Sequence, residues 1–254
     1  MGHHNRHHAG GRYALSGVWG PPDSTANFCE EDYAVTRYIA EFVNALTNLA
    51  YVYFALRSMY RHNAMSISLL LLGTSSFLFH ATLRQTLQFA DELSMLGLAW
   101  TLLQAIMTVR APSRQARYIN TSLAIAFPTF STFYVWTGKI IYHVSAFGAI
   151  IVLIVGRAHY LFHWVEPAFP RAQRARWRYR GRNALVMLLG GYLLWYVDLE
   201  YCAEMRRVRE GVGVPWAWLL GLHGWWHVLT AVSASWFMDI VRELGDEVGG
   251  EKMG

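Results

Sequence analysis

Hydrophobic residues along this chain gather into long, nearly continuous runs separated by short polar breaks, without the strict alternation of a half-buried strand. Seven runs are long enough to cross about 30 Å of hydrocarbon as helices. They cover 39–60, 65–83, 89–109, 119–136, 140–162, 184–201 and 216–240. Helices are the element expected, because a spanning segment must satisfy its own backbone hydrogen bonds and no barrel-like alternation is present. The pattern predicts an all-α bundle of seven transmembrane helices.

Composition strengthens that picture. The chain has 254 residues, 54% hydrophobic and only 15% charged, where a soluble domain carries about 25% charged residues. Many Trp and Tyr residues stand near the ends of the runs, the depth at which amphipathic rings anchor a helix. Residues 1–18 read as a disordered tail, with His3, His4, His7 and His8 in a context that cannot fix metal geometry. Residues 19–38 read as a polar loop, 39–242 as the membrane domain and 243–254 as a tail. No compact cleavable signal is evident, so the first span is expected to insert as its own signal.

The basic residues orient the bundle. One side would carry Arg57, Arg61, Arg110, Arg114, Arg117 and the run Arg171, Arg174, Arg176, Arg178, Arg180 and Arg182, and the other chiefly Arg84, Lys139, Arg206, Arg207 and Arg209. The positive-inside rule then puts the N-terminus in the lumen and the C-terminus in the cytosol. The arginine run is read as a short cytosolic loop touching lipid headgroups, unsuited to nucleic acid.

Ionisable groups inside a span are costly unless they face the bundle and find partners, so each is a functional candidate. Ser76 and His80 fall near the lumenal end of the second span, Asp91 near the start of the third, and His223 and His227 in the first half of the seventh. Five polar groups from three helices therefore share one depth. His223 and His227, four apart, share a helical face, and His80 can supply a third imidazole. Three neutral nitrogens with an open fourth position suit catalytic zinc. His143 reads as a hydrogen-bonded core histidine, and His159 and His163 as interfacial anchors at the opposite end. Glu41 lies on a stripe with Asn44 and Asn48 that should face the bundle.

Three blocks, Ser75-Ser76-Phe77-Leu78-Phe79-His80-Ala81-Thr82-Leu83, Asp91-Glu92-Leu93 and Leu222-His223-Gly224-Trp225-Trp226-His227, resemble the signature motifs of the alkaline ceramidase family. The segments Trp19-Gly20-Pro21-Pro22, Asn27-Phe28-Cys29-Glu30-Glu31-Asp32-Tyr33 and Tyr38-Ile39-Ala40-Glu41-Phe42 are similar to that family too. The resemblance implies a seven-helix amidase of the endoplasmic reticulum or Golgi membrane, of fungal phytoceramidase or dihydroceramidase type. Such an enzyme cleaves ceramide, a lipid substrate met within the bilayer, to sphingoid base and fatty acid, and no obligate protein partner is implied. It further implies His80, His223 and His227 as zinc ligands, Ser76 beside the reacting carbonyl and Asp91 close to the attacking water.

A second implied site is calcium, held by Asn27, the Phe28 carbonyl, Glu30, Asp32 and Glu41. Here Asn27 stands where the animal pattern has Asp, and Asp32 where it has Asn. The topology puts Cys29 and Cys202 in the lumen, where disulfides persist. One bridge is the expectation, two free thiols the alternative, and the family is similar in this respect as well. Two rivals are weighed. A receptor of the adiponectin-receptor kind shares a related zinc site but places its N-terminus in the cytosol, against the arginine distribution. A proton-coupled transporter has no need of three zinc-competent imidazoles beside a carboxylate.

Overall fold

The computed structural model describes residues 13–59 and 64–251. The histidine-rich segment 1–12 and Arg61 lie outside the described residues. The architecture is all-helical: α1 Phe42–Thr47, α2 Leu49–Ser58, α3 Ala64–Thr82, α4 Gln85–Thr108, α5 Ser113–Thr137, α6 Ile140–His163, α7 Arg171–Glu200, α8 Cys202–Val212 and α9 Leu222–Glu251, with a 3₁₀ turn at Trp216–Leu220. α9 packs between α7 and α2, α2 also packs on α3, and α4 lies against α3, α5 and α6. α6 and α7 touch only sparsely.

By length and composition α3 and α6 are apolar enough to cross a membrane. A third span is added if α7 and α8, bent by 90° at their junction, are taken together. α4 falls short because Gln88, Asp91 and Glu92 interrupt its apolar run, yet all three are buried. The outer surface is apolar in the way a lipid-facing surface would be, with Leu71, Ile125, Val152, Leu189 and Trp136 all exposed.

Four expected boundaries shift, each for a visible reason. The first predicted span is two helices meeting at Asn48, whose Nδ2 donates to the Asn44 carbonyl at 2.8 Å. Such local side-chain bonds compete with the helical ladder. α1 begins only at Phe42, where the Glu30 carboxylate accepts the Val43 and Asn44 amides at 2.7 and 2.9 Å. The arginine run, expected to be a loop, forms the first three turns of α7. There Arg176 and Arg180 reach Glu243 at 2.8 and 2.7 Å, and Arg180 reaches Asp239 at 3.2 Å. Burial pushes the Glu243 carboxyl upward, but the Trp177 indole and the Arg180 and Arg176 guanidiniums outweigh it and hold the group below its ordinary range. Those pairs carry α9 on to Glu251, past the predicted end at 240.

Residues 13–41 fold over the end of the bundle formed by the α3–α4 turn and the start of α9. α3 stops at Leu83, whose φ of 50° is left-handed and whose carbonyl receives the Asp23 and Ser24 amides, both at 3.2 Å. Gln85 donates its amide to Asp23, and Gln88 accepts from Thr25 and Ala26. A disulfide joins Cys29 to Cys202 across 173 residues. Three basic groups at this end engage the loop: Arg84 pairs with Asp23 at 2.8 Å, and Arg206 and Arg209 both donate to the Cys29 carbonyl.

Closing a loop of that length constrains the unfolded chain by about 5 kcal/mol in the chain-entropy relation. Non-reducing peptide mapping should recover the Cys29–Cys202 pair. A Cys29→Ser, Cys202→Ser double variant should melt at lower temperature in detergent, and two freely alkylated thiols in the unreduced, unfolded protein would refute the bridge.

Candidate metal centre and active site

α3 delivers His80 from its last turn, and α9 delivers His223 and His227 from its first two. All three are buried, and their ligand-competent atoms lie within 4.8 Å of one another. The His80 and His223 Nε2 atoms are 3.4 Å apart. Two ligands at Zn–N distances of about 2.0–2.1 Å in a tetrahedron stand about 3.4 Å apart, so the spacing fits a shared ion.

Neighbouring groups fix which nitrogen faces inward. His80 Nδ1 lies 2.6 Å from Glu41 Oε2, and an ionised carboxylate only accepts, so Nδ1 carries the proton and Nε2 presents its lone pair. The Thr47 hydroxyl lies within 3.0 Å of the Val43 and Asn44 carbonyls. Having only one proton to give, it accepts at 2.9 Å from His227 Nδ1, which frees Nε2 there too. The Phe28 ring stacks on His223 at 3.8 Å between centroids and shields the cluster. His223 Nδ1 is buried without a hydrogen-bond partner.

Close helix approach makes this geometry attainable. A Cβ on Gly224 would meet Val43 and Thr47 side-chain atoms at 3.2 Å, so glycine between the two α9 histidines lets α1 come near enough for Thr47 to touch His227. Asp198 of α7 accepts the amides that open α9, from Leu222 at 3.2 Å and from His223. A carboxylate at a helix N-terminus satisfies orphan donors and complements the dipole, and here it sets where the helix bearing His223 and His227 begins.

Ser76 lies one turn before His80 and hydrogen-bonds Asp91 of α4. With His223 and His227 they line a cavity of about 180 Å³. His143 stands apart from the triad and bonds the Glu92 carbonyl at 2.9 Å, while Glu92 itself takes bonds from Gln88 and Tyr134. His159 and His163 are exposed at the other end of the bundle.

The five residues expected to hold calcium are brought together only in part. Asn27 Nδ2 donates to Asp32 Oδ2 at 3.0 Å, and the Phe28 amide donates to Glu41 Oε1 at 2.9 Å. Among the described residues the histidine triad is the one group of three His, Cys, Asp or Glu donors within 4.8 Å, so Glu30, Asp32 and Glu41 are not gathered that closely. The reason is that Glu30 spends its oxygens on α1, and Glu41 spends its own on Phe28, Asn44 and His80. Burial pushes the Glu30 carboxyl up to about 8, with the Val43 and Asn44 amides pulling the other way. The donor set is nonetheless all oxygen, and Asn27 Oδ1 is buried with no hydrogen bond, which suits a hard cation.

Sequence reading missed the Glu41–His80 contact, the Thr47 bond to His227 and the Asp198 cap. The stripe of Glu41, Asn44 and Asn48 signalled a bundle-facing polar row, but a stripe does not name the partner.

The ceramidase family model matches residues 20–247. Alkaline ceramidase YPC1 of Saccharomyces cerevisiae is 31% identical, covering 91% of this chain and 79% of that protein. Alkaline ceramidase 3 of Mus musculus is 29% identical, over 86% and 82%, and an alkaline ceramidase of Arabidopsis thaliana is 26% identical, over 87% and 83%. A match that spans nearly the whole chain takes in both the loop and all three histidine-bearing turns, and on that ground the chain belongs to the alkaline ceramidase family.

Proposed function

We propose that this protein hydrolyses the amide bond of ceramide with the help of zinc held by His80, His223 and His227. Family membership makes it a hydrolase of sphingolipid metabolism; what supports the metal is the convergence of imidazole nitrogens whose outer partners, Glu41 and Thr47, turn the lone pairs of His80 and His227 inward. When bound, zinc lowers the pKa of a water from 15.7 to about 7 and polarises the scissile carbonyl.

The protein's own groups carry the proton. Asp91 accepts it from the water as the water oxygen bonds to the amide carbon. Ser76, whose one proton goes to the ionised Asp91 carboxylate, is released from that bond once Asp91 has taken the water's proton, and then donates it to the oxygen on which negative charge develops. As the carbon–nitrogen bond breaks, Asp91 returns the proton to the departing amine, leaving a sphingoid base and a fatty acid. Phe28 over His223 and the apolar cavity walls keep bulk water out.

The same reading extends to the membrane. Seven spans with a lumenal N-terminus in the endoplasmic reticulum or Golgi are favoured by the distribution of basic residues, and Arg84, Arg206 and Arg209 at the loop end are engaged by Asp23 and the Cys29 carbonyl, which leaves Arg37, Lys139 and Arg207 exposed there. Residues 19–38 would form a calcium loop, 39–242 the catalytic domain and 243–254 a cytosolic tail. The test of the function is direct: purified, zinc-loaded protein is given a panel of phytoceramide, dihydroceramide and unsaturated ceramide, and fatty acid release is followed. No release from any of them would overturn it.

Glu41 would then serve both ions, as an oxygen ligand to calcium and as the partner that orients His80. Replacing such an outer partner typically costs 10–100-fold in metal affinity or activity. Glu41→Ala should therefore weaken zinc binding by roughly tenfold or more and also weaken calcium binding. Zinc and calcium titrations run side by side check this, and unchanged affinity for both ions together with unchanged turnover would reduce Glu41 to a packing residue.

A further inference from the structure

A second cavity, of about 370 Å³, adjoins the first. The two share Tyr51, Leu72, Met95, Phe147 and Trp226 as walls, so the far cavity abuts the catalytic one and extends from it toward the opposite end of the bundle. From Trp195, which lines the catalytic cavity, to Arg182, which lines the far one, α7 advances 13 residues, roughly 20 Å. The body of the far cavity is hydrocarbon, from Leu98, Leu102, Ile154 and Phe237 among others.

Its rim has a different character. His159 and His163 on α6, and Arg178 and Arg182 on α7, line the far cavity, and each pair is spaced i, i+4 so that both members share a face. All four are exposed, and they flank the gap where α6 and α7 touch only sparsely. The neighbouring cations are neutralised: Arg176 and Arg180 pair with Glu243 and Asp239. Neither Arg178 nor Arg182 meets a carboxylate among the described residues; Arg182 lies 5.6 Å over the Tyr179 ring. An apolar tube closed by two unneutralised guanidiniums and two imidazoles is complementary to one long hydrocarbon chain ending in a single anionic group.

We propose that this rim binds the carboxylate of a long-chain fatty acid, with the acyl chain lying back into the far cavity. Guanidinium suits a carboxylate because its planar donors match the two oxygens. An acid seated this way occupies the hydrocarbon space next to the catalytic cavity. That is the space an incoming ceramide needs for its own acyl chain, so the product class inhibits the enzyme from the end remote from the metal. The inhibitory part rests on the ceramide reading, whereas carboxylate binding does not.

The test separates the two. Binding of radiolabelled palmitate to the zinc-loaded protein in uncharged detergent is measured without turnover, for wild type, an Arg178→Gln, Arg182→Gln double variant and an Arg178→Lys, Arg182→Lys double variant. The glutamine variant should lose about tenfold in affinity and the lysine variant retain most of it, as expected for charge-assisted recognition. In assays of ceramide hydrolysis, palmitate should inhibit wild type competitively and the glutamine variant about tenfold more weakly, with initial rates free of added acid unchanged. Hexadecanol, which has the chain without the charge, should bind as weakly to wild type as to the glutamine variant.

Wild-type palmitate affinity in the glutamine variant, or hexadecanol binding as well as palmitate, overturns the site. Displacement of palmitate by phosphatidic acid at equal or lower concentration overturns the fatty-acid assignment in favour of a phospholipid headgroup. Normal palmitate binding in a protein that hydrolyses no ceramide sinks the functional reading and leaves the site standing.

Discussion

Replacing His223 with alanine is expected to release the metal and lower turnover by more than about a thousandfold, because water without a metal must lose its proton near pKa 15.7 instead of about 7. His223 is the informative member of the triad. Its Nδ1 has no hydrogen-bond partner, so its loss removes the ring stack on Phe28 but breaks no hydrogen bond to the loop, whereas His80 is tied to Glu41 and His227 to Thr47. The fold should survive, since Leu222 and His223 keep their amide bonds to Asp198 through the backbone. Metal analysis and ceramide turnover are measured together with thermal melting. A variant that melts normally and keeps a full complement of zinc would sink the assignment of His223 as a ligand.

Asp91→Asn is expected to do the opposite to the metal and nearly the same to the rate. Asp91 lies outside the histidine cluster and touches Ser76, so zinc content should stay close to wild type. Asparagine preserves the shape and can still bond Ser76, but it cannot accept the proton of the attacking water, and loss of a positioned general base costs about 10²–10⁴-fold. Turnover should fall in that range, with substrate binding little changed. If a zinc-loaded Asp91→Asn protein turned over ceramide at a near-normal rate, the base would have to be sought elsewhere in the cavity, with Glu92 the next carboxylate along its wall.

The two experiments probe different sources of information. His223 and His227 were legible together because four-residue spacing within one helix is a local property, and a helix of known period fixes which side chains share a face. Asp91 and Ser76 were legible as costly polar groups in apolar runs. What pairing meant for Glu41 was not legible: its stripe with Asn44 and Asn48 says that it faces inward, while its bond to His80 joins residues 39 apart along the chain. The calcium expectation shows the same limit, since the order of acidic residues in the loop does not reveal that Glu30 and Glu41 spend oxygens on the α1 amides, Phe28, Asn44 and His80.

By itself the sequence determined an all-helical chain with most helix positions, the depth at which the polar residues collect and the spacing of two metal-competent histidines. These follow from hydrophobic periodicity and local spacing, which act over one or two turns. The tertiary structure alone decided the rest: the break at Asn48, the helical arginine run seated on α9 through Glu243 and Asp239, the arrival of His80 opposite His223 from 143 residues away, and the Asp198 cap that starts α9. Each depends on which helices pack together and how closely, as at Gly224. Packing in turn depends on the fit of whole surfaces, so no single stretch of the chain contains it.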